Sequence, residues 1–302
     1  MQTLETIRDY IRWGASQFSE AKLFHGHGTA TAIDDAAALV LHSLHLPYDL
    51  AECYFSSKLT QAEREKITQL INRRVKERIP SAYLTNEAVF SGLKFYVDQR
   101  VLVPRSPFAE IIQEQFAPWV DPDQVHHILD LCTGSACIAI ACAYAFPDAQ
   151  VDAVDLSADA LDVAKINVAQ HELEERLSLH QSDLFTALPA QKYDLIVSNP
   201  PYVAISEWQQ LPDEFHAEPE MGFTGGESGL DLVIKILVNA ADYLTEQGIL
   251  IIEVGSSAET LQTQFPNIPF YWLEFEKGGD GVFLLTAEQV FTFNEQFKQA
   301  LG

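Results

Sequence analysis

Residues 128–137 read Ile128-Leu129-Asp130-Leu131-Cys132-Thr133-Gly134-Ser135-Ala136-Cys137, an apolar run that breaks at a small polar turn and resumes as an apolar helix. A short apolar run bounded by turn residues reads as a buried strand. A strand feeding directly into a tight turn and helix presents backbone N–H groups and a close-approach glycine to a ligand. The same unit repeats downstream. Ile128–Cys132 reads as a strand and Cys137–Phe146 as a helix, followed by strand Val151–Val154, helix Ala158–His171 and the short strand Leu177–His180. Strand Tyr193–Ser198, a helix near Leu230–Leu244, strand Ile249–Val254 and a short helix around Ala258–Phe265 follow. Phe270–Phe275, the turn Lys277-Gly278-Gly279-Asp280 and Val282–Leu285 read as a closing β-hairpin. Alternating βα units predict an α/β fold, an open parallel sheet with helices on both faces and here an antiparallel edge. Ligands of such sheets sit at the C-terminal strand ends, where strand order reverses.

Upstream the pattern changes. Apolar residues recur at helical spacing through Leu4, Ile7, Ile11 and Phe18, and again through Ala38, Leu39, Leu41 and Leu44. A third helix opens on the capping-box pattern Thr60-x-x-Glu63 and ends before Pro80. Its row Arg64, Lys66, Arg73, Arg74, Lys76 and Arg78 reads as a solvated face or a contact for RNA or an acidic partner. Alternation from Ala88 to Val103 around Ser91-Gly92 predicts a hairpin, and a helix through Ile111, Ile112 and Phe116 follows. The expected organisation is a helical domain over 1–80, a hairpin linker over 81–104 and an α/β domain over 105–302.

The charge is lopsided. Residues 1–80 carry 10 basic and 10 acidic residues, so the remaining 9 basic and 33 acidic residues give 81–302 the entire net charge, 9 − 33 = −24. Such a surface repels phosphate backbones and attracts basic proteins. DNA is therefore an unexpected substrate, and RNA contact is confined to the basic row. At 47% hydrophobic, with no apolar run near the ~20 residues a bilayer span needs, the chain reads as globular and non-membrane. Met1-Gln2-Thr3-Leu4-Glu5 lacks the basic-then-apolar pattern of a secretory signal, so a cytoplasmic location is expected. Cys53, Cys132, Cys137 and Cys142 lack metal-ligand spacing and read as buried reduced thiols, with no metal expected.

Several side chains then fall at strand ends. Where a dinucleotide fingerprint needs three glycines, the first turn has only Gly134, which argues against a pyrophosphate and for a nucleoside such as S-adenosylmethionine. Asp130, Cys132, Thr133, Gly134 and Ser135 form this candidate cofactor turn. Asp155, ending the second strand, can accept both ribose hydroxyls, or can cap the helix that follows alongside Ser157. Ser182-Asp183-Leu184-Phe185 offers Asp183 as acceptor for an adenine amine, with Leu184 among the apolar walls. After the fourth strand comes Asn199-Pro200-Pro201-Tyr202. Two prolines stop the ladder and hold the chain extended, which makes a rigid lip with an amide, free carbonyls and an aromatic ring. Such a lip suits a planar group bearing N–H donors.

The series Asp-x-x-Thr-Gly-Ser, Val-Asp-Leu-Ser, Ser-Asp-Leu-Phe and Asn-Pro-Pro-Tyr resembles the glutamine N(5)-methyltransferases of the HemK/Prm group, over nearly the whole chain. Val101-Leu102-Val103-Pro104-Arg105-Ser106-Pro107 and Cys132 resemble the PrmB branch, which modifies ribosomal protein uL3, rather than the release-factor branch. The resemblance implies a Rossmann-like seven-stranded sheet, S-adenosylmethionine as methyl donor and a basic ribosomal protein, uL3 or its assembly intermediate, as substrate. It also implies that Asn199 and the Pro200 carbonyl accept the two N–H bonds of a glutamine carboxamide, with Tyr202 on its plane and Asn199 also beside the cofactor. One departure is Ala136, where glycine is usual; a methyl there is expected to crowd the ligand slightly. Glu218-Pro219 and Gly225-Gly226-Glu227-Ser228-Gly229 fit the family's loop after the lip, and Arg105 faces the site or caps the linker. The competing readings are a release-factor methyltransferase, a nucleic-acid adenine methyltransferase using the same lip, and a non-catalytic assembly factor.

Overall fold

The computed structural model describes residues 4–276 and 278–301, so Lys277 of the closing turn lies outside the described residues. Helices α1 (Ile7–Glu20), α2 (Ala32–Ser43) and α3 (Gln61–Glu77) pack around a core of their own, with Phe18, Leu39, Ile67 and Ile71 fully buried. The Thr60 hydroxyl accepts from the Glu63 N–H while the Glu63 carboxylate accepts from the Thr60 N–H, completing the capping box. The basic row on α3 departs from a uniform solvated face. Arg74 is buried, and Arg78, in a left-handed conformation at the helix end, turns toward the α/β unit.

A short helix α4 (Ser81–Thr85) precedes the hairpin β1 (Glu87–Phe90) and β2 (Leu93–Tyr96). Phe90 and Phe95 drive the hairpin into the core beneath the large sheet, so it is packed rather than free. Helix α5 (Phe108–Gln113) stops short of Phe116, because Gln115 and Phe116 both take positive φ. The βα series is β3 (His127–Leu131), α6 (Cys137–Ala145), β4 (Gln150–Asp155), α7 (Ala158–Gln170), β5 (Leu177–Gln181) and β6 (Tyr193–Ser198). Then come α8 (Ile205–Trp208), α9 (Asp231–Ala240), β7 (Leu244–Glu253), α10 (Ala258–Gln264), β8 (Tyr271–Trp272), β9 (Val282–Thr286) and α11 (Ala287–Ala300).

The seven strands lie in the order β5-β4-β3-β6-β7-β9-β8, parallel through β7 and antiparallel at β9 and β8. Order reverses at β3, which has β4 on one side and β6 on the other. Two differences from the sequence reading are corrections of extent. The helix expected over Leu230–Leu244 ends at Ala240, and Leu244 already pairs with Tyr193, ahead of a register shift in β7. The strand expected over Phe270–Phe275 is only two residues long. Helix α11 was absent from that reading, although Phe297 is fully buried against Phe265. No helix among the described residues is long and apolar enough to cross a membrane.

Candidate active site

At the C-terminal ends of β3, β4 and β6 lies a cavity of ≈ 500 Å³. Cys132, Thr133, Gly134, Ser135, Asp155, Asp183, Leu184, Asn199, Pro201 and Tyr202 all line it, which brings the dispersed motifs into one site. Two expected residues sit behind it. Asp130 is fully buried under the turn, where its carboxylate accepts from the Thr133 hydroxyl at 2.5 Å and the Ala139 N–H at 3.1 Å. Burial pushes that carboxyl up to about 7. Pro200 is buried as well and is not part of the lining, so of the four lip residues Asn199, Pro201 and Tyr202 face the cavity.

The turn alternates in hand, with φ of +60° at Cys132, +55° at Gly134 and +64° at Ala136. A methyl added at Gly134 would meet nothing within 4 Å, so the turn opens onto the cavity at that residue. The expectation that Ala136 crowds the ligand is corrected. Its side chain is fully buried in the core with Ile128 and does not reach the cavity. A left-handed Ala costs ~1–2 kcal/mol, which the ~0.8 kcal/mol from its buried methyl offsets in part. Asn167 of α7 was not foreseen. Fully buried, it donates to the carbonyls of Ser135 and Tyr96 and accepts from the Tyr96 N–H, tying hairpin to turn.

The Asp155 carboxylate accepts from the Gly134 N–H at 2.8 Å and the Ser157 N–H at 2.9 Å, so it joins the first turn to the start of α7, as its capping role expects. Burial raises its pKa, against the backbone N–H bonds it accepts. The Asp183 side chain is exposed at the cavity and, like the Asn199 carboxamide, has no hydrogen-bond partner among the described residues. Both are therefore free to bind a ligand. The residues present fit S-adenosylmethionine: an open face at Gly134, a carboxylate at the end of β4, and apolar walls from Val154, Leu184 and Leu232.

Tyr202 is fixed from behind. Its hydroxyl donates to Glu253 Oε1 at 3.0 Å, and the Ser106 hydroxyl donates to Glu253 Oε2 at 2.5 Å. Burial raises the pKa of both Tyr202 and Glu253. Gly255, at φ +41°, lies so close that a Cβ there would come within 2.5 Å of the Tyr202 ring. The 225–229 loop covers the lip's backbone: a Cβ at Gly229 would stand 2.1 Å from the Tyr202 carbonyl. Val203 also donates to the Phe223 carbonyl and accepts from the Gly225 N–H. Glu253 was legible only as the acidic end of an apolar strand. Ser106 and the glycine contacts depend on long-range packing that no local pattern reveals.

Arg105 lines the cavity with its guanidinium 5.6 Å above the rings of both Phe215 and Phe223. It donates to Glu218 Oε2 at 3.0 Å. Among the described residues no group of three His, Cys, Asp or Glu could hold a metal ion. The cysteines are free, but Cys53 is exposed and Cys132 and Cys137 are only half-buried, which corrects the expectation of buried thiols at all positions but Cys142.

Residues 110–217 match the family described as methyltransferase small domain. The ribosomal protein uL3 glutamine methyltransferase of Bordetella pertussis is 49% identical over 96% of this chain and 98% of the relative. That of Neisseria meningitidis serogroup A is 50% identical over 96% and 95%. The chain belongs to the uL3 glutamine methyltransferase family. Among solved structures, the hMettl16 catalytic domain in complex with a MAT2A 3′UTR hairpin has a TM-score of 0.51 and 16% identity, covering 79% of this chain and 86% of that one. This likeness shows the shared methyltransferase fold. The methyltransferase uses S-adenosylmethionine as its donor.

Proposed function

We propose that this methyltransferase transfers a methyl group to the side-chain amide nitrogen of a glutamine in ribosomal protein uL3. The observation that carries the reading is the unpaired Asn199 carboxamide on a braced lip, facing the cavity that Asp155, Gly134 and Asp183 also line. The substrate assignment rests on relatives at about half identity along their full length.

When bound, S-adenosylmethionine supplies an electrophilic methyl group. The chain's own contribution is to place the acceptor. An amide nitrogen is a poor nucleophile because its lone pair is delocalised into the carbonyl. Asn199 Oδ1 and the Pro200 carbonyl accept the two carboxamide N–H bonds, raise electron density on nitrogen and aim it at the donor half of the cavity. Fixing that geometry contributes several kcal/mol. The acceptors bind more strongly as nitrogen becomes positive, which favours the transition state over the ground state. The Tyr202 ring packs on the carboxamide plane, held there by Glu253 and Gly255. The loop over residues 218–229 excludes water from the acceptor side. The surplus proton leaves to solvent, and no side chain is assigned as its base.

On this reading residues 1–80 recognise the protein substrate, 81–104 link, and 105–302 carry the chemistry. Cys132, Thr133, Ser135 and Leu184 line the donor half, and Asp130 serves it indirectly by holding the turn. With all the net charge on 81–302, a basic ribosomal protein is a better partner than nucleic acid. Asn199→Ala is expected to lower transfer to uL3 by at least about 100-fold while the donor dissociation constant stays at the wild-type value. Radiolabel transfer and calorimetry measure the two, and normal turnover in the variant would sink the mechanism.

A further inference from the structure

Residues 214–218 carry two buried carboxylates that reach out of the α/β unit toward the N-terminal helices. Glu214 accepts from the Phe24 N–H at 3.1 Å and pairs with Arg78 at 3.0 Å, with Arg74 at 3.9 Å. Arg74 in turn donates to Asp35, which also lies against His25. Glu218 accepts from the Val103 N–H at 2.8 Å and from Arg105, and stands 3.1 Å from Nε2 of the buried His27. Burial alone would raise Glu218, but His27 and Arg105 hold it below the usual carboxylate range, so it is ionised.

This seam is incompletely satisfied. Four of its buried atoms are held by ion pairs alone, His27 Nε2 with Glu218 Oε1, Arg78 Nε with Asp213 and Arg74 Nη1 with Glu214, while His27 Nδ1, Asp35 Oδ1 and Glu214 Oε2 have neither a hydrogen bond nor an ion pair among the described residues. Buried polar atoms are normally paired, and burying this many charges costs desolvation free energy, so the seam is weak evidence for stability and open to another role. The seam also leads straight to the acceptor side. Glu218 is followed by Pro219, Met221, Gly222 and Phe223, all lining the cavity, and the Phe223 carbonyl accepts from Val203 beside the lip.

We propose that Glu218 is a positioning residue, through which His27 of the N-terminal unit and Arg105, at the start of the α/β unit, set the acceptor side of the cavity. The seat of the helical unit is thereby coupled to the geometry of the lip. This rests on the methyltransferase reading above and adds how a substrate held by the N-terminal unit is registered at the reaction centre. The donor half, built on β3 and β4, lies outside the coupling.

The test uses full-length protein with E218Q, H27A and the double variant, assayed for kcat and KM with uL3, donor dissociation constant and thermal unfolding. The expected result for each single variant is a kcat lower by roughly 10–100-fold with donor affinity retained. The double variant should be no worse than the poorer single one, as for residues acting as a unit. Wild-type kcat in E218Q, donor affinity lost in step with activity, or losses that multiply would each overturn the proposal. Should E218Q fail to fold, H27A and R105K decide by the same split. Wild-type protein run in parallel separates the two ideas: no transfer to uL3 by wild type overturns the function, not the coupling.

Discussion

Tyr202 is held by its hydroxyl, by its carbonyl and by the face of its ring. Glu253 takes the first, the Ser257 hydroxyl donates to the second at 2.7 Å, and Gly255 leaves room for the third. Gly255→Ala tests the third. A methyl at that position must displace the ring and also sits on a backbone with φ +41°. The expected outcome is a fall in kcat of about tenfold or more, with donor binding kept, because a small misplacement of a positioning group is costly. Steady-state kinetics beside donor titration checks it. At this scale the sequence was informative where chemistry is local. Asp155, Asp183 and Asn199 stand at strand ends, and a strand end is visible as the last residue of an apolar run. The roles of Glu253, Ser106 and Asn167 were not visible, because they come from partners 147, 51 and 71 positions away.

Among the elements, α11 shows what was overlooked rather than hidden. Thr286-Ala287-Glu288-Gln289 is a capping box, with the Thr286 hydroxyl accepting from the Gln289 N–H and the Gln289 side chain accepting from the Thr286 N–H. Val290 and Phe297 then mark a buried face seven residues apart, two helical turns. Phe297 packs edge-on against Phe265 with ring centres 5.4 Å apart. Phe297→Ala is expected to reduce unfolding free energy by about 3–5 kcal/mol, as for other buried aromatic truncations. Chemical denaturation measures it, and a loss under about 1 kcal/mol would mean that the helix is only loosely docked. The boundary errors have a different cause. The extent of α9 and the early start of β7 are set by pairing of Leu244 with Tyr193, a contact between segments 51 residues apart. Local periodicity does not contain it.

At the scale of the molecule, the two parts of the chain differ in charge, and the acceptor is expected to be basic. Attraction between them acts over about a Debye length and weakens with salt. KM for uL3 is therefore expected to rise several-fold between about 50 and 300 mM salt, while the donor dissociation constant moves much less. Kinetics across that range checks it, and a salt-independent KM would remove charge from the account of substrate choice. The basic row on α3 was the least legible feature. Sequence shows six cations on one helix but not that Arg74 and Arg78 are spent on Asp35, Asp213 and Glu214. Only the tertiary arrangement tells an internal cation from a free one.

That seam also sets the order in which the molecule loosens. The three N-terminal helices have a complete apolar core of their own, and the sheet has two more on its faces. Between the helices and the 214–218 segment the join is made by ions and a few rings, with several polar atoms unpaired. A join of that kind opens at lower free energy than the cores on either side of it. The seam beside the reaction centre is therefore expected to open first, as a parting of two intact bodies rather than the melting of either, and hydrogen exchange that deprotects the Phe24 and Val103 amides no earlier than the core strands would overturn this.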